Sequence, residues 1–224
     1  MSGANIAPGP RTRKKHDLDR PGNLYLAARR WTLILAALGR MDHAVATGPY
    51  LEVGCGSAEG LALVALAGLR FLPVVGVDLF LYPGAQGRAA RQGASLMRAV
   101  GAALPFSTGV FAVTAQCMLL TSVLSLQNRL AVAREMVRVT RPGGIILSLD
   151  LRYPGPPGAG RTTLGLRGVR KLFPQLHLQY STTHIILPPV ARLLRGSPWI
   201  CDFLAKLPVL RAYRLAVFRK SDSW

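Results

Sequence analysis

A carboxylate, Glu52, stands two residues before Gly54 in the stretch Tyr50-Leu51-Glu52-Val53-Gly54-Cys55-Gly56-Ser57-Ala58-Glu59-Gly60. Two glycines one residue apart let a backbone turn sharply and come close to a ligand. Cys55, between them, belongs to the same ligand-binding turn. Free N–H groups at the start of the following helix can bind an acceptor group of that ligand. A second carboxylate, Asp78, ends the Val-rich run from Pro73 and lies 26 residues after Glu52. At the C-terminal end of a parallel strand, where open α/β sheets bind ligands, it can accept both hydrogen bonds of a ribose diol. As a helix N-cap it would need no ligand. The glycine spacing discriminates further. A dinucleotide fingerprint needs a small residue three positions after the second glycine, and Glu59 occupies that position. What remains is acid-x-Gly-x-Gly-x-small, reading Glu52-x-Gly54-x-Gly56-x-Ala58. A tight strand–helix turn with no ligand is the bland reading of the same residues.

The patterning predicts the elements that position these groups. Pro21-Gly22-Asn23 starts a helix of about Leu24–Leu38, with Leu24, Trp31, Leu35 and Leu38 on one face. A strand at Tyr50–Val53 leads through the glycine turn to a helix ending near Ala67. Pro73–Asp78 has the near-continuous apolar character of a buried parallel strand. A helix of about Ala85–Arg98, a strand at Val110–Gln116 and a helix of about Asn128–Arg138 follow. The turn Arg141-Pro142-Gly143-Gly144 feeds an apolar strand ending at Asp150. A strand at Leu176–Leu187 and a broken helical segment at Pro188–Leu207 come next. Arg211–Arg219 alternates and is predicted as a final antiparallel strand. Gln116 ends its strand, where it either faces a ligand or bonds nearby backbone.

The glycine turn, Asp78 and the Arg-Pro-Gly-Gly turn at this spacing resemble the class I S-adenosylmethionine (SAM)-dependent methyltransferases. The likeness runs from about Tyr50 to Tyr153, and in character the chain is similar to the ubiquinone- and menaquinone-type branch. The resemblance implies an α/β fold with a doubly wound, largely parallel seven-stranded sheet (a Rossmann-like methyltransferase fold) and one antiparallel strand. It implies S-adenosyl-L-methionine as cofactor, with Glu52 on the amino group of the methionine part and Gly54, Cys55 and Gly56 in the turn beneath it. Asp78 would meet the ribose, and Gln116 would face the cofactor. Three positions depart from the family pattern: Ala58 replaces a third glycine, Val100 an aspartate beside the adenine, and Ala112 the aspartate of a Phe-Asp-Val strand. The implied reaction is methyl transfer to O, N or C of a small or lipid-like acceptor. The sulfonium already makes the methyl group electrophilic, so alignment and exclusion of water suffice and a general base is dispensable. Asp150, Tyr153 and His184 are the candidates for orienting an acceptor. His184 has a side chain suited to base chemistry near neutral pH. The acceptor pocket is expected from Asp150–Leu207 and the N-terminal helix, with Pro154–Gly158 and Pro188–Leu207 as its cover. Leu193, Trp199 and Phe203 are read as lid residues or as sheet packing.

Composition bounds the partners. The 224 residues suit one domain, read as 21–224, with a cofactor half at about 50–150 and an acceptor part at about 151–224. Residues 1–20, with Arg11-Thr12-Arg13-Lys14-Lys15, read as a disordered basic tail. No apolar run reaches the roughly 18 residues of a membrane span, and a cytoplasmic location is expected. Three cysteines and four histidines lack metal-ligand spacing, so no metal site is expected. The net charge is +18, and residues 151–224 hold 12 basic against 2 acidic side chains. That balance favours an anionic partner, including peripheral contact with an anionic membrane. No Asn/Asp-Pro-Pro-Tyr/Phe motif follows the fourth strand, so specific nucleic-acid binding is not expected. A non-catalytic basic binding protein on a degenerate methyltransferase fold and a nucleic-acid methyltransferase are the competing readings.

Overall fold

Hydrophobic alternation along the strands sorts their side chains onto two faces, and each face is covered by its own set of helices. The computed structural model describes residues 18–42, 47–67, 71–153 and 161–222. Most of the expected basic tail and the Pro154–Gly158 loop lie outside the described residues.

One sheet has the order β3-β2-β1-β4-β5-β7-β6. Its strands are β1 (Tyr50–Val53), β2 (Val74–Asp78), β3 (Ala94–Arg98), β4 (Phe111–Cys117), β5 (Thr140–Leu151), β6 (His177–Ile186) and β7 (Arg211–Arg219). Strands β1 to β5 pair in parallel. β7 lies antiparallel between β5 and β6. The chain order reverses between β1 and β4, which is where such sheets bind ligands, outside the carboxyl ends of the strands.

Tyr50, Val113, Ala115, Leu149 and Leu215 build one core with α1 (Pro21–Gly39), α2 (Glu59–Leu66) and α3 (Ala85–Arg91). Leu51, Val53, Ile146 and Phe218 build the other with α5 (Leu126–Val139) and α6 (Leu166–Leu172). The single turn α4 (Leu119–Ser122) follows β4 directly. α1 seats on α2 through one close approach: a Cβ at Gly60 would sit 1.9 Å from the Trp31 ring. Only glycine leaves room for the indole there.

One expectation is corrected. The helix predicted over Ala85–Arg98 ends at Arg91, and Gly93 adopts φ +75°. Residues 94–98 instead form β3 and pair with all of β2. An edge strand with exposed Ser95, Met97 and Arg98 has almost no apolar period to read. The Pro188–Leu207 segment comprises two short helices, α7 (Pro188–Leu193) and α8 (Pro198–Leu204), before a 3₁₀ turn at Pro208–Leu210.

Candidate cofactor and acceptor site

Three alternate left-handed residues shape the turn after β1: Gly54 at φ +76°, Gly56 at +56° and Ala58 at +64°. Alanine tolerates this conformation at a cost of about 1 kcal/mol relative to glycine. Gly54 N–H donates to the Val77 carbonyl at 2.7 Å, and Cys55 N–H to the same oxygen at 3.1 Å. Gly56 N–H donates to Asp78 Oδ2 at 2.8 Å, and Phe80 N–H to Asp78 Oδ1 at 2.9 Å. The carboxylate therefore fastens the turn to the end of β2. A Cβ on Gly54 would meet Leu119 at 2.9 Å, whereas one on Gly56 would meet nothing within 4 Å. The second glycine thus opens onto free space. Arg88 holds the rim, donating to the Ser57 carbonyl at 3.1 Å with Glu59 3.9 Å away. Cys55 is buried with its sulfur beside Gly76, so only its backbone belongs to the turn. Burial, with Glu52 and Asp78 nearby, pushes its thiol far up, so it is no nucleophile.

Glu52 is 1 % exposed, and its Oε2 has no hydrogen-bond partner among the described residues. Burial, reinforced by Asp78 and Glu59, raises its pKa from 4.5 to about 8. An unpartnered carboxylate oxygen in the interior is costly unless a donor arrives. The Tyr50 hydroxyl, on the same face of β1, is also buried and unpartnered.

Of the two roles open to Gln116, the hydrogen bonds show the second. Its Nε2 donates to Ser148 Oγ at 2.7 Å and to Asp150 Oδ2, while its Oε1 accepts from Leu119 N–H at 2.9 Å and Leu120 N–H at 3.3 Å. The amide is spent holding α4 to the sheet, in line with the backbone-bonding alternative. Asp150 is corrected. It is fully buried and accepts from Ser148 Oγ at 2.8 Å and Thr121 N–H at 3.1 Å, besides Gln116. Burial raises its pKa against these bonds. Such a carboxylate braces the strand ends and has no free face for an acceptor.

Tyr153 is half-buried under the Arg152 guanidinium, 4.5 Å above its ring. His184 is exposed on the edge strand β6, four strands from β1, or roughly 19 Å at the usual strand spacing. It bonds Thr182 at 2.9 Å and lines a hollow of about 410 Å³ between α1, α8 and β6. That hollow takes no residue from β1, β2 or the glycine turn. Burial, then Arg211 and Arg40, lower the His184 pKa, so the ring is neutral at pH 7. Leu193, Trp199 and Phe203 face solvent, so they do not pack on the sheet.

Two arginines, Arg30 and Arg161, lie near the carboxyl ends of β4 and β5. Arg30 of α1 reaches over the sheet to the Tyr213 hydroxyl at 3.4 Å and to Cys117 at the end of β4. Burial opposes its charge, but Tyr213 and Cys117 outweigh it, and its pKa ends above the ordinary value. Thr162 N–H donates to the Thr121 carbonyl and Leu164 N–H to the Leu151 carbonyl, which lays residues 161–164 across α4 and the end of β5. Arg161 enters there, and burial and the charges of Arg30 and Arg192 lower its pKa against the pull of Tyr213. Arg30 and Tyr213 escaped the sequence reading because α1 and β7 were read only for their apolar faces.

Residues 51–148 match the family described as a methyltransferase domain. No curated protein matches the sequence significantly. Among solved structures, a Haloferax volcanii protein bound to a methyltransferase activator superposes with a TM-score of 0.64 at 17% identity, over 92% of this chain and 96% of that one. A SAM-dependent methyltransferase of Methanosarcina mazei gives 0.58 at 15% identity, over 79% and 93%. Geranyl diphosphate C-methyltransferase of Streptomyces coelicolor gives 0.61 at 13% identity, over 86% and 77%. These likenesses establish the fold.

Proposed function

We propose that this SAM-dependent methyltransferase acts on a small or lipid-like acceptor that carries an anionic group. One observation carries the cofactor half of that reading: the buried Glu52 oxygen with no partner among the described residues, beside a glycine turn open to space. The ammonium of the methionine part of SAM supplies the donor this oxygen lacks. Gly54 and Gly56 let the chain pass beneath it, and Cys55 contributes its backbone. Asp78 keeps lone pairs free beyond the two it gives to Gly56 and Phe80, and these are available to the ribose hydroxyls. Val100, exposed on the loop whose Ala99 N–H bonds the Asp78 carbonyl at 3.0 Å, offers the adenine an apolar edge.

When bound, SAM supplies a methyl group already activated by its sulfonium. The chain's task is then to align the acceptor and exclude water. Arg30, steadied by Tyr213, and Arg161 supply the positive charge this reading needs, since guanidinium groups favour carboxylate or phosphate. Two of the similar structures were solved with geranyl diphosphate, an anionic prenyl compound. That likeness in fold supports an acceptor of the same general character.

Titration calorimetry of SAM into wild type and Glu52→Gln tests the cofactor half. Binding by wild type with a loss in the variant supports it. Wild-type protein without measurable affinity at millimolar SAM would refute it and favour a binding protein on a methyltransferase fold. Transfer of labelled methyl to anionic against neutral acceptor pools, with Arg30→Gln as control, tests the acceptor half.

A further inference from the structure

The segment from α7 to the 3₁₀ turn is anchored on its inner side and apolar on its outer side. Ala191 and Cys201 are fully buried, and the Tyr25 hydroxyl donates to Asp202 at 2.7 Å. Arg29 also pairs with Asp202. A Cβ on Gly22 would sit 2.7 Å from the Arg192 Cα, so α1 and α7 touch backbone to backbone. The outer side is unusual. Leu193 is 82 % exposed, Trp199 75 %, Phe203 64 % and Val209 67 %, with Leu207 also exposed. Trp199 and Phe203 are one turn apart on α8 and share a face. Isolated exposed apolar residues are ordinary, but several large ones on one short segment mark a contact surface.

The charges around them select the partner. Arg192, Arg195 and Lys206 are exposed along the same segment, and Asp202 is the one acid between Pro188 and Arg211. That acid is already committed to Tyr25 and Arg29. The Lys206 ammonium lies 5.5 Å above the Phe203 ring, which places cation and aromatic side by side. Among the described residues no helix is long and apolar enough to cross a membrane, and α7 and α8 are single short helices. Large apolar and aromatic side chains among exposed cations, on short elements, suit the boundary between anionic headgroups and acyl chains.

We propose that the outer face of α7, α8 and the 3₁₀ turn docks this protein peripherally on an anionic lipid bilayer, with Leu193, Trp199 and Phe203 entering the headgroup boundary and Arg195 and Lys206 meeting lipid phosphates. The surface is separate from the glycine turn, so docking and cofactor binding are independent properties.

The test is co-sedimentation of the full chain with vesicles of phosphatidylcholine alone and of phosphatidylcholine with phosphatidylglycerol. Binding to the mixed vesicles, weakened by salt, is expected from wild type. The variant Trp199→Ala/Phe203→Ala should bind about tenfold more weakly while keeping its circular dichroism, since both side chains are exposed. Lys206→Glu should weaken binding too, and it keeps the proposal testable if the double variant misfolds. Leu66→Ala, at an exposed leucine elsewhere, should bind like wild type. Equal binding to neutral vesicles, no binding to anionic ones, or unchanged binding by both docking variants would overturn the proposal. So would a wild-type dimer in sedimentation velocity that the double variant abolishes, because a second copy would then cover the face. Retained SAM affinity in the docking variants separates this result from any failure of the cofactor reading.

Discussion

Gly56 and Asp78 are joined across adjacent strands: the glycine N–H donates to the aspartate carboxylate at 2.8 Å. The turn under the candidate cofactor site is thus held by the same side chain that is available to the ribose. Asp78→Ala should cost about 1–3 kcal/mol of stability without any cofactor, the usual cost of losing a charged acceptor. It should weaken SAM binding as well. Asp78→Asn, which keeps one acceptor oxygen, should cost less on both counts. Urea denaturation followed by calorimetry separates the two losses. An Asp78→Ala protein as stable as wild type would show that the turn needs no fastening.

Glu52 should couple cofactor binding to pH. Its folded-state pKa is raised, from 4.5 to about 8, so the folded chain holds this proton more tightly than the unfolded chain does. The associated stability is fully present below about pH 4.5 and is lost as pH rises through about 8. Thermal midpoints without cofactor should fall across that window relative to those of Glu52→Gln, which carries no such proton. SAM affinity of wild type should rise over the same range as the carboxyl ionises. A difference curve between wild type and variant that is flat from pH 5 to pH 8 would contradict the burial of an unpartnered carboxyl.

Gly60→Ala should be more damaging than a methyl group on a helix normally is. Alanine is the better helix former, yet its Cβ would fall 1.9 Å from Trp31. Overpacking of this kind costs about 1–3 kcal/mol. Trp31→Leu in the same chain should recover part of it, and chemical denaturation of the single and double variants reads the coupling.

Asp150→Ala and His184→Ala should behave oppositely to what base catalysis requires. Removing Asp150 leaves the Thr121 N–H without its acceptor and the Gln116 amide with Ser148 alone, and the loss should be several kcal/mol of stability, on the order of 3. His184→Ala should leave both stability and turnover near wild type, because the ring sits on the far edge strand. Lost turnover in a folded His184→Ala protein would bring the hollow beside β6 into the reaction.

The sheet was largely legible because buried strands announce themselves. β1 and β7 fall on the residues their patterns marked, and the Arg-Pro-Gly-Gly turn opens β5. What stayed hidden has physical causes. β3 lies at the sheet edge, where one strand partner and solvent replace an apolar period. The direction of a polar side chain at a strand end cannot be read from its position, so Gln116 and Asp150 looked like site residues. Their partners, Ser148 and the N–H groups of α4, become neighbours only once β4 and β5 pair. The arginines over the sheet come from α1 and the segment after β5, more than a hundred residues apart. The outward turn of Trp199 and Phe203 was equally invisible, since helical spacing fixes that they share a face and not which way the face looks.

The order of β5, β7 and β6 has a consequence for how the molecule is made. β6 leaves the ribosome before β7, yet among the described residues β7 is the only strand it pairs with. Until Arg211–Arg219 emerges, the sheet ends at β5 and β6 has no place in it. The last insertion closes contacts between distant parts of the chain, which is the slow kind of step in sheet assembly. During that interval the nascent protein exposes the open edge of β5 and an unpaired β6, the circumstance in which chaperones are recruited and chains aggregate.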